Sequence, residues 1–261
     1  MKRDERQNAI MDLLVADRDV DLERLAARFD VSKMTIHRDL DELEAAGLLR
    51  KVRGGATIQS GTRFESDYRF RERRGGAAKA AMAGCALDLI EPGMTVMIND
   101  GSMAAVLGSM AGAKRPLTVI TNNVAVIDAL RTEAGITLMA LGGVFSTKFN
   151  AFLGKATEDA LRAVHADIAF ISSPAIAGTD VFHMDEDVVR AKQAMMAQAT
   201  TLCLLVNHER FNRTALHKLA PLSRFDHIIT DREPDADARA ALDAAGIALT
   251  IAHSQDAPHD A

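Results

Sequence analysis

Residues 21–56 constrain the fold of this chain more than any other stretch, because they hold two short amphipathic helices separated by a tight turn. Asp21 and Ser32 are placed to cap the two helices, since a short polar side chain accepts a hydrogen bond from an otherwise unpaired backbone N–H of the first turn. The apolar residues at helical spacing are Leu22, Leu25, Ala26 and Phe29 in the first helix, and Ile36, Leu40 and Leu43 in the second. An upstream stripe containing Ile10 and Leu14 predicts a third helix that covers the pair.

The outward face of the second helix is expected to carry hydrogen-bond donors suited to phosphates and base edges. Gly47 is placed to end that helix. Residues 48–56 then combine three cations with a glycine pair, which favours a β-hairpin wing lying along a DNA backbone. An ordinary helical hairpin with a solvated basic loop is the alternative. The predicted DNA-binding residues are Ser32, Lys33, Met34, Thr35, His37, Arg38, Arg50, Lys51, Arg53 and Gly54.

This segment resembles the N-terminal signature of the DeoR family of bacterial transcriptional regulators. The resemblance rests on V-S-K-M-T-I-H-R-D-L at residues 31–40, on Gly47, and on R-G-G-A at residues 53–56. His37 stands where the family usually has arginine, and Arg53 where it usually has histidine. The resemblance implies a winged helix-turn-helix domain that binds double-stranded operator DNA.

The distribution of charge is compatible with DNA binding although the whole chain has a formal net charge of −5. Residues 49–74 contain eight basic and three acidic residues, so a positive local field follows the predicted helices. It is the local field that attracts phosphates. Because the helices themselves are not basic, one domain should bind DNA weakly, and we expect a dimer or tetramer.

The chain shows features of a cytoplasmic protein. No apolar run approaches the ~20 residues that span a membrane, and the N-terminal residues lack the apolar core of a signal peptide. Cys85 and Cys203 have no CxxC spacing and no neighbouring histidine cluster, so both are expected to be buried, reduced thiols. The sequence predicts neither a metal site nor a cofactor.

The larger second part alternates apolar strands with helices, which predicts an α/β domain with a doubly wound, mostly parallel sheet. The 261 residues accommodate both domains. We expect a DNA-binding domain at 1–58, a linker at 59–76, an effector-sensing and oligomerisation domain at 77–253, and a tail at 254–261. The predicted strands are 94–98, 117–121, 136–141, 168–172, 202–206, 227–230 and 247–251.

Polar residues and glycines follow these strands, at the sheet edge where open α/β sheets bind ligands. Backbone N–H groups at the helix starts there favour an anion such as phosphate. The predicted effector-binding residues are Asp100, Gly101, Ser102, Asn122, Gly142, Gly143, Lys192 and Arg210. Asp100 is expected to accept hydrogen bonds from sugar hydroxyls, and Lys192 and Arg210 to supply charge for a phosphate.

The second part also resembles the DeoR effector domain, which is similar in fold to sugar-phosphate isomerases. T-N-N at residues 121–123, the pair Gly142-Gly143 and Lys192 match the family, whereas Met103 replaces a hydroxyl and Arg210 a lysine. The resemblance implies a repressor of sugar or polyol genes that responds to a phosphorylated sugar.

Two other functions remain open on the sequence. One is a sugar-phosphate isomerase or related enzyme with an accessory helical domain, although no catalytic acid or base lies in an assignable motif. The other is a regulator whose effector domain serves mainly as an oligomerisation platform. Three departures from the family pattern favour it: Met103, Asn207 in place of the usual aspartate, and residues 172–173 where the family often has G-x-D-G-I.

Overall fold

The computed structural model describes residues 2–57 and 68–252. The chain divides into two compact units, residues 1–74 and 75–261. Half of the predicted linker, residues 59–67, and the predicted tail at 254–261 lie outside the described residues.

The first unit is a winged helix-turn-helix domain, as predicted. Leu25, Ile36 and Leu40 are buried at the centre of its core. Its elements are α1 (Arg3–Asp17), β1 (Asp19–Asp21), α2 (Leu22–Phe29), α3 (Lys33–Ala45), β2 (Arg50–Val52), β3 (Gly55–Thr57) and α4 (Tyr68–Arg73). The three strands form an antiparallel sheet in the order β1-β3-β2, so the predicted hairpin gains a third strand from the segment before α2.

Helix α4 corrects the predicted linker at 59–76, because residues 68–73 are helical and belong to the first unit. Phe70 is buried in the core of that unit. The Arg73 guanidinium donates to Asp12 Oδ1 on α1 over 2.6 Å. Residues 68–73 are therefore held in the first unit by an apolar side chain and by an ion pair to α1. Their many arginines had suggested a solvated linker instead.

The second unit has the predicted doubly wound α/β architecture. Its seven-stranded sheet has the order β15-β14-β12-β9-β4-β5-β6, and its neighbouring strands are parallel throughout. The strands are β4 (Thr95–Ile98), β5 (Leu117–Thr121), β6 (Ile136–Ala140), β9 (Ala166–Ser172), β12 (Ala199–Leu205), β14 (His227–Thr230) and β15 (Thr250–Ile251).

Helices cover both faces of this sheet and bury two apolar clusters. On one face lie α5 (Gly76–Leu87), α6 (Ser102–Met110) and α7 (Val124–Leu130), and on the other lie α8 (Lys155–Arg162), α9 (Glu186–Ala197) and α10 (Ala236–Ala244). Strand β9 shows why the sheet forms, because its run of apolar residues is buried towards both faces, as in other parallel sheets.

Two small antiparallel elements were not predicted. A hairpin joins β7 (Val144–Ser146) to β8 (Ala151–Leu153), and a second sheet has the order β10 (Ala175–Ala177), β11 (Asp180–His183), β13 (His217–Pro221). The cysteine prediction is half right. Cys203 is buried and burial raises the pKa of its thiol, but Cys85 on α5 is only partly buried.

Candidate functional site

The outward face of α3 presents the predicted recognition residues. Ser32 caps the helix, since the Thr35 backbone N–H donates to Ser32 Oγ over 3.1 Å. His37 and Arg38 are exposed on the face opposite the buried Ile36 and have no ion pair among the described residues. The helix ends as predicted. Ala46 is its C-terminal cap, and Gly47 follows in a left-handed conformation.

Two of the predicted phosphate-binding lysines are engaged by carboxylates. Lys33 pairs with Glu23 on α2, and Lys51 of the wing pairs with Asp41 on α3. Acidic side chains therefore lie directly beside two of the predicted DNA-contacting cations. Exposed ion pairs of this kind contribute about 0–1 kcal/mol, so a DNA phosphate could take over either lysine at little cost.

A buried ion pair fixes α3 against α1. Arg6 Nε donates to Asp39 Oδ2 over 2.5 Å, and Arg6 Nη2 donates to Asp39 Oδ1 over 3.1 Å. The hydrogen bond to Asp39 is the main cause that raises the pKa of Arg6. Gln7 also donates to Asp39. Asp39, which lies in the family motif next to Arg38, therefore positions the recognition helix and does not face DNA.

The wing depends on a close backbone approach at Gly55. A Cβ atom on Gly55 would lie 1.9 Å from the Val20 carbonyl oxygen, a distance that no side chain tolerates. Strand β1 can therefore pair with β3 only if this position is glycine. The wing tip at Arg53 and Gly54 is exposed, and Arg50 is exposed at the start of β2.

In the second unit, the loops after β4 and β5 are locked together at the carboxyl edge of the sheet. Asn123 Nδ2 donates to the carbonyl oxygens of Asn99 and Gly101, both over 3.1 Å. Residues 99–102 and 122–123 are all buried. Four of the predicted effector residues, Asp100, Gly101, Ser102 and Asn122, therefore lie in one rigid pair of loops.

Lys192 reaches the same loops from α9. Its Nζ donates to the Ser172 carbonyl oxygen over 2.6 Å and lies 3.5 Å from Asp100 Oδ1. The Lys192 and Asp100 side chains are only 2% and 1% exposed. The Lys192 charge is balanced by a buried carboxylate, so Lys192 holds Asp100 in place, and its role as a phosphate-binding cation stays a prediction.

Two buried acceptor atoms in these loops have no hydrogen-bond donor among the described residues. They are Asp100 Oδ2 and Asn122 Oδ1. The Asn122 amide orientation is set, because its Nδ2 donates to the Phe152 carbonyl oxygen over 2.9 Å. Buried polar atoms without partners are rare in folded proteins and call for a specific explanation, of which a bound ligand is one.

The remaining predicted effector residues follow other strands, Gly142 and Gly143 after β6 and Arg210 after β12. Gly143 is required for packing, because a Cβ there would lie 2.5 Å from the Leu153 carbonyl oxygen, and the Gly142 carbonyl oxygen accepts from Thr157. Arg210 lies in a 3₁₀ turn after β12, and strand β9 separates β12 from β4. Their roles in ligand binding stay predictions.

Sequence reasoning missed several polar residues at this edge. Ser172 Oγ donates to the Asp100 carbonyl oxygen over 3.3 Å, which adds β9 to the loop pair. Asp231, after β14, accepts from the His208 backbone N–H over 2.7 Å and lies 2.9 Å from His208 Nδ1. The signal was present, since Ser172 ends a buried strand and His208 and Asp231 follow two others, but spacing alone does not show which of them face one another.

Comparison with known proteins places both units in one family. Residues 6–62 match the DeoR-like helix-turn-helix domain, and residues 75–232 match the DeoR C-terminal sensor domain. The chain belongs to the DeoR family. With a DNA-binding domain and a sensor domain in one chain, it is a transcriptional regulator and not an enzyme.

Two relatives named for the genes they control match most of this chain. The L-fucose operon activator of Haemophilus influenzae is 31% identical over 213 residues, covering 81% of this chain and 85% of its own. The glycerol-3-phosphate regulon repressor of Escherichia coli K12 is 27% identical over 238 residues, covering 90% and 93%.

Among solved structures, the chain is similar to ribose 5-phosphate isomerase A from Methanocaldococcus jannaschii, with 18% identity and a TM-score of 0.37 over 51% of this chain. The matched region spans about half of that enzyme, 53% of its chain. Within the described part of the chain, no helix is long and apolar enough to cross a membrane, and no cluster of side chains could hold a metal ion.

Proposed function

We propose that this regulator represses genes of sugar or polyol metabolism in the cytoplasm and releases them when a phosphorylated sugar or related metabolite binds the second unit. The named relatives support this proposal, since one acts on an L-fucose operon and the other on a glycerol-3-phosphate regulon. One of these two relatives is an activator and the other is a repressor. The proposal of repression therefore rests on the resemblance of the chain to a family whose members are mostly repressors.

The observation that carries the DNA-binding half is the exposed face of α3. Arg38 and His37 project from a helix that buried side chains hold in place, and the wing tip carries Arg53. An arginine fits a guanine edge or a phosphate through two parallel hydrogen bonds. The protein acts as a homo-oligomer, because two half-sites double the number of phosphate contacts.

The DNA-binding half is tested by selecting a binding site from random duplex DNA and measuring affinity at fixed salt. Arg38→Ala is expected to lose about 1–3 kcal/mol per site, and a dimer loses it twice. Arg224→Ala is the matched control, because it removes the same charge from an exposed position in the second unit. Equal affinity of Arg38→Ala and wild type would show that α3 does not contact DNA.

The effector-binding half rests on the two unpartnered acceptors. Asp100 Oδ2 and Asn122 Oδ1 lie in loops held together by Asn123, and both can accept only from a donor such as a hydroxyl group. The start of α6 at Ser102 follows directly, and its backbone N–H groups suit a phosphate. We therefore expect hydroxyl groups near Asp100 and Asn122 and a phosphate near Ser102, with Arg210 as a further cation.

A panel of sugar phosphates and polyols is screened by thermal shift and by release of the selected DNA. A ligand raises the melting temperature by mass action. Ser102→Ala is expected to weaken the active compound at least about tenfold, a cost of about 1.4 kcal/mol. Ser109→Ala on the exposed side of the same helix serves as the control. If no compound shifts the melting temperature or releases DNA, the oligomerisation-platform alternative is favoured instead.

A further inference from the structure

Strand β6 forms an edge of the seven-stranded sheet and pairs with β5 alone among the described strands. The hydrogen bonds at its two ends fix which backbone groups face β5. Leu117 N–H donates to the Gly135 carbonyl oxygen, and Leu141 N–H donates to the Thr121 carbonyl oxygen. Because alternate residues of a parallel strand point their backbone groups to opposite sides, those of Leu138 and Ala140 face outward.

The side chains around this edge are apolar and exposed. Met139 is 42% exposed, and in the hairpin that follows Val144 and Phe145 are 75% and 48% exposed. Helix α7 covers the face of β6 that carries Ile136 and Leu138, but Thr137 and Met139 on the opposite face remain open to solvent. We call β6 and residues Val144–Ser146 the β6 edge.

The β6 edge lacks the devices that keep exposed edges from pairing. Natural edge strands are usually short, charged or interrupted by proline. Residues 134–147 contain no charged residue and no proline. The opposite edge is protected in the usual way, since β15 has only two residues.

We propose that the β6 edge is the surface through which two copies of this chain associate, by pairing their β6 strands about a two-fold axis. A row of outward N–H and C=O groups is a template for another strand, and the identical strand of a second copy is self-complementary. An uncharged edge also meets its own copy without like-charge repulsion. The inference rests on the proposed homo-oligomer and assigns its interface.

The test combines an edge charge with a matched control. Met139→Lys places a charge in the edge strand of each copy, whereas Leu216→Lys adds the same charge at a position that is 81% exposed and lies outside the β6 edge. Sedimentation measures the dimer dissociation constant of each folded variant. We expect Met139→Lys to weaken association about tenfold or more, because two-fold symmetry counts the change twice, and Leu216→Lys to leave it unchanged.

Hydrogen exchange of the wild-type protein tests the strand pairing without any substitution. Peptides resolving Leu138 and Ala140 should be protected at dimer concentrations and exposed after dilution. A dimer that Met139→Lys leaves intact, or whose Leu138 and Ala140 amides exchange freely, overturns the β6 edge while the proposed oligomer stands. A wild-type protein that is monomeric at micromolar concentration, while still binding its selected DNA, overturns the oligomer itself.

Discussion

Replacing Asp39 by alanine should strongly destabilise the DNA-binding unit while the second unit keeps its stability. The substitution leaves the Arg6 guanidinium buried without its carboxylate, since Arg6 is only 8% exposed and makes two hydrogen bonds to Asp39. Breaking a buried ion pair by removing one partner costs about 3–5 kcal/mol. The guanidinium of an arginine keeps its proton at neutral pH even without a carboxylate partner, so Arg6 cannot escape the cost by becoming neutral.

The size of the unit shows why this loss is decisive. At about 0.05–0.15 kcal/mol per residue, the 74 residues of the first unit have a stability of about 4–11 kcal/mol. A loss of about 3–5 kcal/mol removes a large part of that stability and lowers the melting temperature of the unit by more than about 10 °C. DNA binding should fall with it, because α3 is then no longer held against α1.

Hydrogen exchange followed by mass spectrometry is the appropriate assay, because it reports each unit separately. Peptides from α1 and α3 should lose protection in Asp39→Ala, whereas peptides from β4 and β9 should keep it. The double variant Arg6→Met, Asp39→Leu removes both charges and should recover most of the stability. Unchanged protection of α3 in the single variant, or a double variant no better than the single one, would refute the reasoning.

Two further predictions follow from the second unit. Gly143→Ala should lower the free energy of unfolding by about 1–3 kcal/mol, because the new side chain meets both a positive φ of 145° and a backbone collision. Gly142→Ala is the control and should be nearly neutral, since no atom lies within 4 Å of its Cβ. Thermal melts of the two variants measure the difference. Ellman's reagent should modify Cys85 in the native protein and Cys203 only after unfolding, since burial shields the Cys203 thiol and raises its pKa. Modification of Cys203 in the native protein, or loss of the native reaction in a Cys203→Ser variant, would contradict this.

The sequence predicts the repeating elements of this fold well and its small sheets poorly. Strands β5 and β14 lie where they were predicted, because each is a short run of β-branched and apolar residues bounded by turns. The β7–β8 hairpin was missed since its strands have three residues each, too few to show a period. Helix α4 was missed because its arginines outweighed two buried aromatic residues.

The candidate sites show the same division between local and long-range information. The exposed residues of α3 follow from helical periodicity, so His37 and Arg38 could be assigned without coordinates. The partners of Arg6 and Lys192 could not, because each lies far along the chain from the carboxylate that it contacts. A buried charge has no periodic pattern that identifies its partner, and here only the packing of α1 on α3 and of α9 against the sheet brings the pairs together.

Two ion pairs are buried among the described residues, and their hydrogen bonding separates a structural pair from a candidate binding site. Both oxygens of Asp39 accept hydrogen bonds from Arg6, so that carboxylate is fully satisfied within the protein. Asp100 is held by Lys192 through one oxygen and leaves the other without a donor. Desolvation of the unpaired oxygen costs free energy in the unliganded protein. A hydroxyl group that donated to this oxygen would recover that cost, and this is why we propose effector recognition for Asp100 and only a structural role for Asp39.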